Sequence, residues 1–147
     1  MFRFKLFFIL ITVAFLSCEK DRPQSEIDED KIQEYIADNN LDATRHSSGL
    51  YFIINDQGAS QKPNIYSEVK VTYSGYLTDG TRFDSGTLDY YSLSQLIAGW
   101  QIGIPLIGKG GSAKFIIPSG LGYGSRSTGS IPENSVLIFD VTLDDFR

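Results

Sequence analysis

The feature that most constrains this chain is the stretch Ser94 to Ile107, S-Q-L-I-A-G-W-Q-I-G-I-P-L-I, which holds the only tryptophan between two glycines. Leu96, Ile97, Trp100 and Ile104 recur at helical spacing, which predicts a turn or two of amphipathic helix. Pro105 removes a backbone donor and crowds the preceding turn, so the element should end near Ile104. Strand-like segments lie on both sides. A short helix centred on Trp100 then suits a plug in the concave face of a sheet. A core helix whose tryptophan simply fills volume fits the same residues.

A chain of 147 residues, 41% of them hydrophobic, has room for one modest domain with a real core. The formal net charge is -5 with no basic patch, which argues against nucleic acid as a partner. One cysteine allows no internal disulfide, and one histidine makes a Cys/His metal site a poor expectation. No metal or other cofactor is expected.

Residues 1–17 are a different material. Arg3 and Lys5 precede an almost unbroken apolar run from Leu6 to Leu16. That run is shorter than the roughly 20 residues of a membrane-spanning helix and suits a signal peptide. Cys18 follows Phe15, Leu16 and Ser17, which resembles the processing site of bacterial lipoproteins, where the cysteine is acylated. The small Ser17 fits that pattern, while Phe15 stands where leucine is usual. Loss of Arg3 and Lys5 would take the net charge from -5 to -7. The expectation is an acidic, exported protein, lipid-anchored at Cys18 to a membrane of a bacterial envelope and otherwise free of the membrane.

Residues 18–47 read as an acidic spacer with one helix. Ile27, Ile32, Tyr35 and Ile36 give a narrow apolar stripe, Ser25 or Asp28 suits a cap, and Asn39-Asn40 suits an end. Glu26, Asp28, Glu29 and Asp30 read as a solvated helix face. The folded domain is expected over residues 48–147. Leu50 to Ile54 is strand-like, Val69, Val71, Tyr73 and Leu77 mark a half-buried strand, and Asp79-Gly80 signals a hairpin into Arg82-Phe83-Asp84. Ala113 to Ile117 is another strand, stopped by Pro118. In the last strand Leu137, Phe139, Val141 and Leu143 face one way and Val136, Ile138, Asp140 and Thr142 the other. Four or five strands with hairpin connections and one short helix predict class α+β, an antiparallel, strongly curved sheet wrapped around that helix.

Tyr73, Phe83, Trp100, Tyr123 and Phe139 fall at strand ends or on inward faces, each near a glycine-containing turn or loop. Together they suit an apolar pocket floored by Trp100 and edged by two phenols. The only histidine, His46, lies in the spacer, so Ser/His catalysis fits poorly.

At this point the sequence resembles the FKBP-type peptidyl-prolyl cis-trans isomerases. The resemblance runs from about Val69 to Leu143, on V-T-Y-S-G-Y-L-T-D-G-T-R-F-D-S at Val71 to Ser85, Q-L-I-A-G-W at Gln95 to Trp100, A-K-F-I-I-P at Ala113 to Pro118, L-G-Y-G at Leu121 to Gly124, and Ile131-Pro132 leading to L-I-F-D-V at Leu137 to Val141. It implies that Trp100 floors a proline pocket, with Tyr73, Phe83 and Phe139 as walls and Leu96, Ile97 and Ile131 completing the lining. Asp84 would orient the Tyr73 hydroxyl, Tyr123 would donate to a substrate carbonyl, and the Ile97 N–H would be a second donor. Proline-containing polypeptides are the implied partners, with macrolide inhibitors of the family as further ligands. Separately, an acidic mature domain with no long apolar helix argues mildly for a monomer.

The chain departs from the family in two places. Asp89 stands where many members place a pocket aromatic, and would weaken the wall unless Leu88 or Tyr90 turns in instead. The polar Ser125 to Ser130 loop is one residue short against much of the family, and Ser130 replaces an apolar residue before Ile131. These bear on substrate preference and catalytic strength. The expected function is isomerisation of X-Pro bonds in exported proteins. A low-turnover binding module or chaperone using the same pocket is the alternative.

Overall fold

The computed structural model describes residues 22–147; the expected signal segment 1–17 and Cys18 lie outside the described residues. The chain forms helix α1 (Gln24–Asp38), strands β1 (Thr44–Arg45), β2 (Tyr51–Asp56), β3 (Glu68–Leu77) and β4 (Arg82–Ser92), helix α2 (Ala98–Gly103), and strands β5 (Ser112–Ile117) and β6 (Leu137–Phe146). The strands make one antiparallel sheet in the order β1-β2-β5-β6-β3-β4. This is the expected α+β sheet around a short helix, with six strands rather than four or five. The additional β1 pairs Thr44 with Phe52 and Arg45 with Tyr51. Two polar residues carry no alternation signal, and only their partner strand makes them a strand.

Alternation along β6 divides the molecule into two layers, because successive side chains leave a strand on opposite faces. Leu137, Phe139, Val141 and Leu143 join Val69, Val71, Phe115, Ile117, Trp100 and Ile104 in the main core. Ile138 points the other way and packs with Ile116, Tyr51, Val136 and Ile32.

Helix α2 is shorter than the Leu96–Ile104 span that periodicity suggests. Leu96 is extended, Ile97 is the residue before the first helical turn, and Pro105 sits in a 3₁₀ turn over Ile104–Leu106. Its closeness to the sheet depends on the two glycines. A Cβ on Gly99 would lie 2.6 Å from the Ile117 side chain, and one on Gly103 would lie 2.9 Å from the Phe115 ring. The flat side of the helix rests on β5, which turns Trp100 toward β3 and β6.

Helix α1 differs from the expected spacer, for it lies against the sheet. Ile32 is fully buried, with Tyr35, Ile36, Leu41 and Ala43 packed around it. The stripe read from the sequence is the docking face; its counterpart on β2, β5 and β6 is remote in sequence. Neither Ser25 nor Asp28 caps the helix, which starts after Pro23 with no side-chain cap. Asp28 is instead buried, a correction to the solvated acidic face. The helix ends at the expected Asn39-Asn40, where Asn40 takes φ 51° and Leu41 N–H donates to Ile36 O at 3.0 Å.

Since α1 is part of the folded body, Ile32→Ala should lower stability by about 2–4 kcal/mol while keeping a single urea transition. A helix detached from the domain would leave the transition unchanged.

Candidate functional site

The hairpin joining β3 and β4 builds the first wall. Gly80 takes φ +86°, and Leu77 N–H donates to Thr81 O at 2.9 Å, so the Asp79-Gly80 turn closes as the sequence suggests. On the return strand Gly75 faces Asp84 but Tyr76 faces Arg82, which leaves Phe83 as an extra residue. Such a bulge bends the strand and re-aims its side chains. Here it lays the Phe83 ring over Gly75, where an added Cβ would lie 2.6 Å from Phe83 and 2.8 Å from Phe139. The same bend brings Asp84 to Tyr73, whose hydroxyl donates to Asp84 Oδ2 at 2.8 Å. Gly75 was not singled out in the sequence, because nothing local marks the place where two remote rings meet.

A second irregularity lies further along β4. Val71 faces Leu88 but Val69 faces Tyr91, so Asp89 and Tyr90 together oppose Lys70. Asp89 points outward, 3.2 Å from Lys70 Nζ and 71% exposed. Tyr90 takes φ 49°, donates its hydroxyl to Asp145 at 2.8 Å and lies under the Arg147 guanidinium, 4.3 Å from the ring centre. Leu88 is the residue that turns into the cleft. Asp89 therefore does not weaken the wall.

The floor is an edge-to-face aromatic cluster. The Trp100 ring lies 5.2 Å from Tyr73 at 78° and 5.2 Å from Phe139 at 83°, and Phe83 meets Phe139 at 5.4 Å and 85°. These are the arrangements that aromatic quadrupoles favour. Trp100 and Phe139 are almost fully buried, while Tyr73, Phe83, Leu96, Ile97 and Tyr123 are half-buried and show one face. Trp100 Nε1 is buried and has no hydrogen-bond partner among the described residues. An orphaned donor costs on the order of 1–3 kcal/mol, which the chain tolerates in keeping the floor apolar.

The β5–β6 loop completes the rim. Thr128 and Ile131 exchange backbone hydrogen bonds at 2.9 Å each way, so Gly129 and Ser130 form a tight tip with Gly129 at φ 57°. The cleft that results has a volume of about 420 Å³ and is lined by all nine residues singled out above, Tyr73, Phe83, Asp84, Leu96, Ile97, Trp100, Tyr123, Ile131 and Phe139. Leu88, Gln95, Thr128, Gly129 and Ser130 also line it. The polar tip that the sequence marks as a departure is thus part of the cleft wall. Ile97 O accepts from Trp100 and Gln101 N–H, while the Ile97 N–H precedes the first helical turn and has no intrahelical acceptor.

A match to the family described as FKBP-type peptidyl-prolyl cis-trans isomerase covers residues 59–144, more than half of the chain. The chain belongs to this family. It is 44% identical over 119 residues to the FKBP-type isomerase FkpA of Aeromonas hydrophila, covering 77% of this chain and 44% of that protein. Against FkpA of Escherichia coli K12 it is 38% identical over 105 residues, covering 69% of this chain and 39% of that protein. The chain thus spans less than half the length of these curated relatives. Among solved structures it resembles FkpA from Escherichia coli, with a TM-score of 0.74 and 34% identity over 84% of this chain and 61% of that one. It also resembles AtFKBP13, with a TM-score of 0.66 and 29% identity over 73% of this chain and all of that one.

Within this FKBP-type cleft, burial and then the hydrogen bond to the Asp84 carboxylate push the Tyr73 phenol up from 10 to about 12. The proton stays on Tyr73 across the physiological range, so its hydroxyl is a fixed donor. In the unfolded chain the phenol ionises near pH 10. Between there and about 12 the folded chain binds more protons. Stability from this interaction is therefore complete below about pH 10 and is lost as pH rises through about 12. Ultraviolet titration of the wild type against Tyr73→Phe should show the missing phenolate signal near pH 12; a difference centred at pH 10 would contradict the assignment.

Proposed function

We propose that the chain accelerates cis-trans isomerisation of X-Pro bonds, binding the proline ring on Trp100 between Tyr73, Phe83 and Phe139. The observation that carries this reading is the apolar cleft floored by the Trp100–Tyr73–Phe139 cluster, with a single hydrogen-bonded Tyr73–Asp84 pair at its edge. Rotation about the bond breaks nothing covalent, but the amide must leave planarity against a barrier of roughly 18–20 kcal/mol. Water stabilises the planar, charge-separated amide. Removing that water into an aromatic cleft favours the twisted state, in which the carbonyl and nitrogen are decoupled. A million-fold acceleration needs roughly 8 kcal/mol, which desolvation, shape and a few hydrogen bonds can supply.

In this mechanism Tyr123 donates its hydroxyl to the substrate carbonyl and the Ile97 N–H holds a second carbonyl. Leu96, Leu88 and Ile131 keep water from the ring. Asp84 holds the Tyr73 hydroxyl in place rather than taking a proton. The polar tip at Thr128–Ser130 meets the residue before proline and sets its preference. The same cleft would admit the family's macrolide inhibitors.

The chain acts as a monomer on exported or envelope proteins. The apolar run Leu6 to Leu16 after Arg3 and Lys5 supports a cleaved signal over residues 1–17, and Ser17-Cys18 supports acylation of Cys18. Unaided prolyl isomerisation takes tens of seconds or longer, slow enough to limit the folding of such clients.

Cis-to-trans kinetics on a short X-Pro peptide test the reading. Trp100→Leu should lower kcat/KM by about tenfold or more, and Tyr73→Phe by severalfold; each tenfold is about 1.4 kcal/mol of transition-state binding. Asp89→Phe should stay within about twofold of wild type, because the carboxylate already faces Lys70 rather than the cleft. No acceleration by a well-folded wild type would leave a proline-binding module without turnover.

Acylation has its own test. In a bacterial host, Cys18→Ser should abolish incorporation of labelled fatty acid and move the protein out of the membrane fraction. Labelling that survives the substitution would overturn the anchor.

A further inference from the structure

A buried carboxylate lies outside both the cleft and the family match. Asp28, on α1, is 1% exposed and belongs to a segment that precedes residues 59–144. Its Oδ1 accepts from Gln24 Nε2 at 2.8 Å. Its Oδ2 accepts from the Ser119 N–H at 2.8 Å and the Ser119 hydroxyl at 2.6 Å, across 91 residues of chain. No intrinsic need of α1 explains this, for Asp28 does not cap its helix and its backbone is already in the second turn. A buried carboxylate is costly unless donors satisfy it, so the pairing is strongly specified.

Ser119 is the joint between this contact and the cleft. It opens the 3₁₀ turn Ser119–Leu121 after Pro118, and that turn has no cap from its own N-cap residue. Asp28 supplies the cap from another element. On its other side the Ser119 carbonyl accepts from Gly122 N–H at 2.9 Å and from Gly124 N–H at 2.8 Å. Those two residues flank Tyr123. Glycines on both sides leave the Tyr123 backbone little stiffness of its own, so its place depends on its anchors: the two bonds to the Ser119 carbonyl on one side, and on the other Arg126 N–H to the Tyr123 carbonyl at 3.3 Å and Asn134 N–H to the Gly124 carbonyl at 2.8 Å.

We propose that Asp28 is a positioning residue that fixes the Tyr123 hydroxyl at the cleft through Ser119, so that helix α1 is coupled to the site. The inference rests on the isomerase reading for its effect on rate, but not for its effect on Tyr123.

The test uses the full chain labelled with 3-fluorotyrosine, the Tyr123 fluorine signal being identified by its loss in Tyr123→Phe. Asp28→Ala and Ser119→Ala should shift or broaden that signal and lower kcat/KM by about tenfold, as expected for a misplaced group. Asp28→Asn, which keeps an acceptor for Ser119, should restore most of both. Gln33→Ala is the control: it loosens α1 at Tyr51, away from Ser119, and should leave the signal and the rate in place. An unchanged Tyr123 signal in Asp28→Ala and Ser119→Ala overturns the proposal. So does equal loss in Gln33→Ala, which would mean that helix docking alone matters, and so does a shifted signal with an unchanged rate in an active enzyme. If the wild type shows no turnover, the isomerase reading fails and the fluorine signal alone decides whether Asp28 places Tyr123.

Discussion

Close approach of a six-residue helix to a sheet is the constraint on which the rest of this structure depends. Helix α2 reaches β5 only because Gly99 and Gly103 present no side chain where Ile117 and Phe115 stand. That contact turns Trp100 to the edges of Tyr73 and Phe139, 5.2 Å away on each side. Any wider spacing would open a gap under the indole, and dispersion contacts fall away within an ångström. The floor of the cleft thus follows from two missing methyl groups on one helix face.

Strand β4 then shows how a regular sheet is made to hold an irregular site. Strict alternation along a strand sends every second side chain to the same face. One extra residue at Phe83 and another over Asp89–Tyr90 break that count, bringing Phe83, Asp84 and Leu88 to the cleft. The positive φ of Tyr90 is held by its hydrogen bond to Asp145 and its contact with Arg147. The charged partners lie on the outer side, where solvent screens them, and the cleft keeps one neutral phenol paired to one carboxylate. That distribution suits a reaction in which dehydration, rather than proton transfer, lowers the barrier.

Helix α1 enlarges the folded body beyond the segment that carries the family match. Its apolar face closes the far side of the sheet over Ile116 and Ile138. Its one buried acid crosses to the loop that carries Tyr123. A helix whose apolar stripe is only four residues wide would be marginal alone, and docking supplies the rest of its stability.

Much of this was legible in the sequence. Period-two alternation marked β3 and β6, Asp79-Gly80 marked the hairpin from β3 into β4, and the motifs from Val71 to Val141, through the family they resemble, named nine of the fourteen residues that line the cleft. Those signals are local: backbone period, turn chemistry and residue type act within a few positions of themselves. The remainder depends on partners far along the chain. Strand β1 exists because β2 pairs with it, Asp28 is buried because Ser119 meets it, and Gly75 matters because two distant rings converge there. Whether Leu88, Asp89 or Tyr90 faced the cleft was set by the register of β4 against β3. The sequence by itself determined the fold class and nine of the residues that line the cleft; which faces turned inward, and what held them there, was decided by tertiary packing, because a side chain's direction depends on the register and contacts of its neighbours.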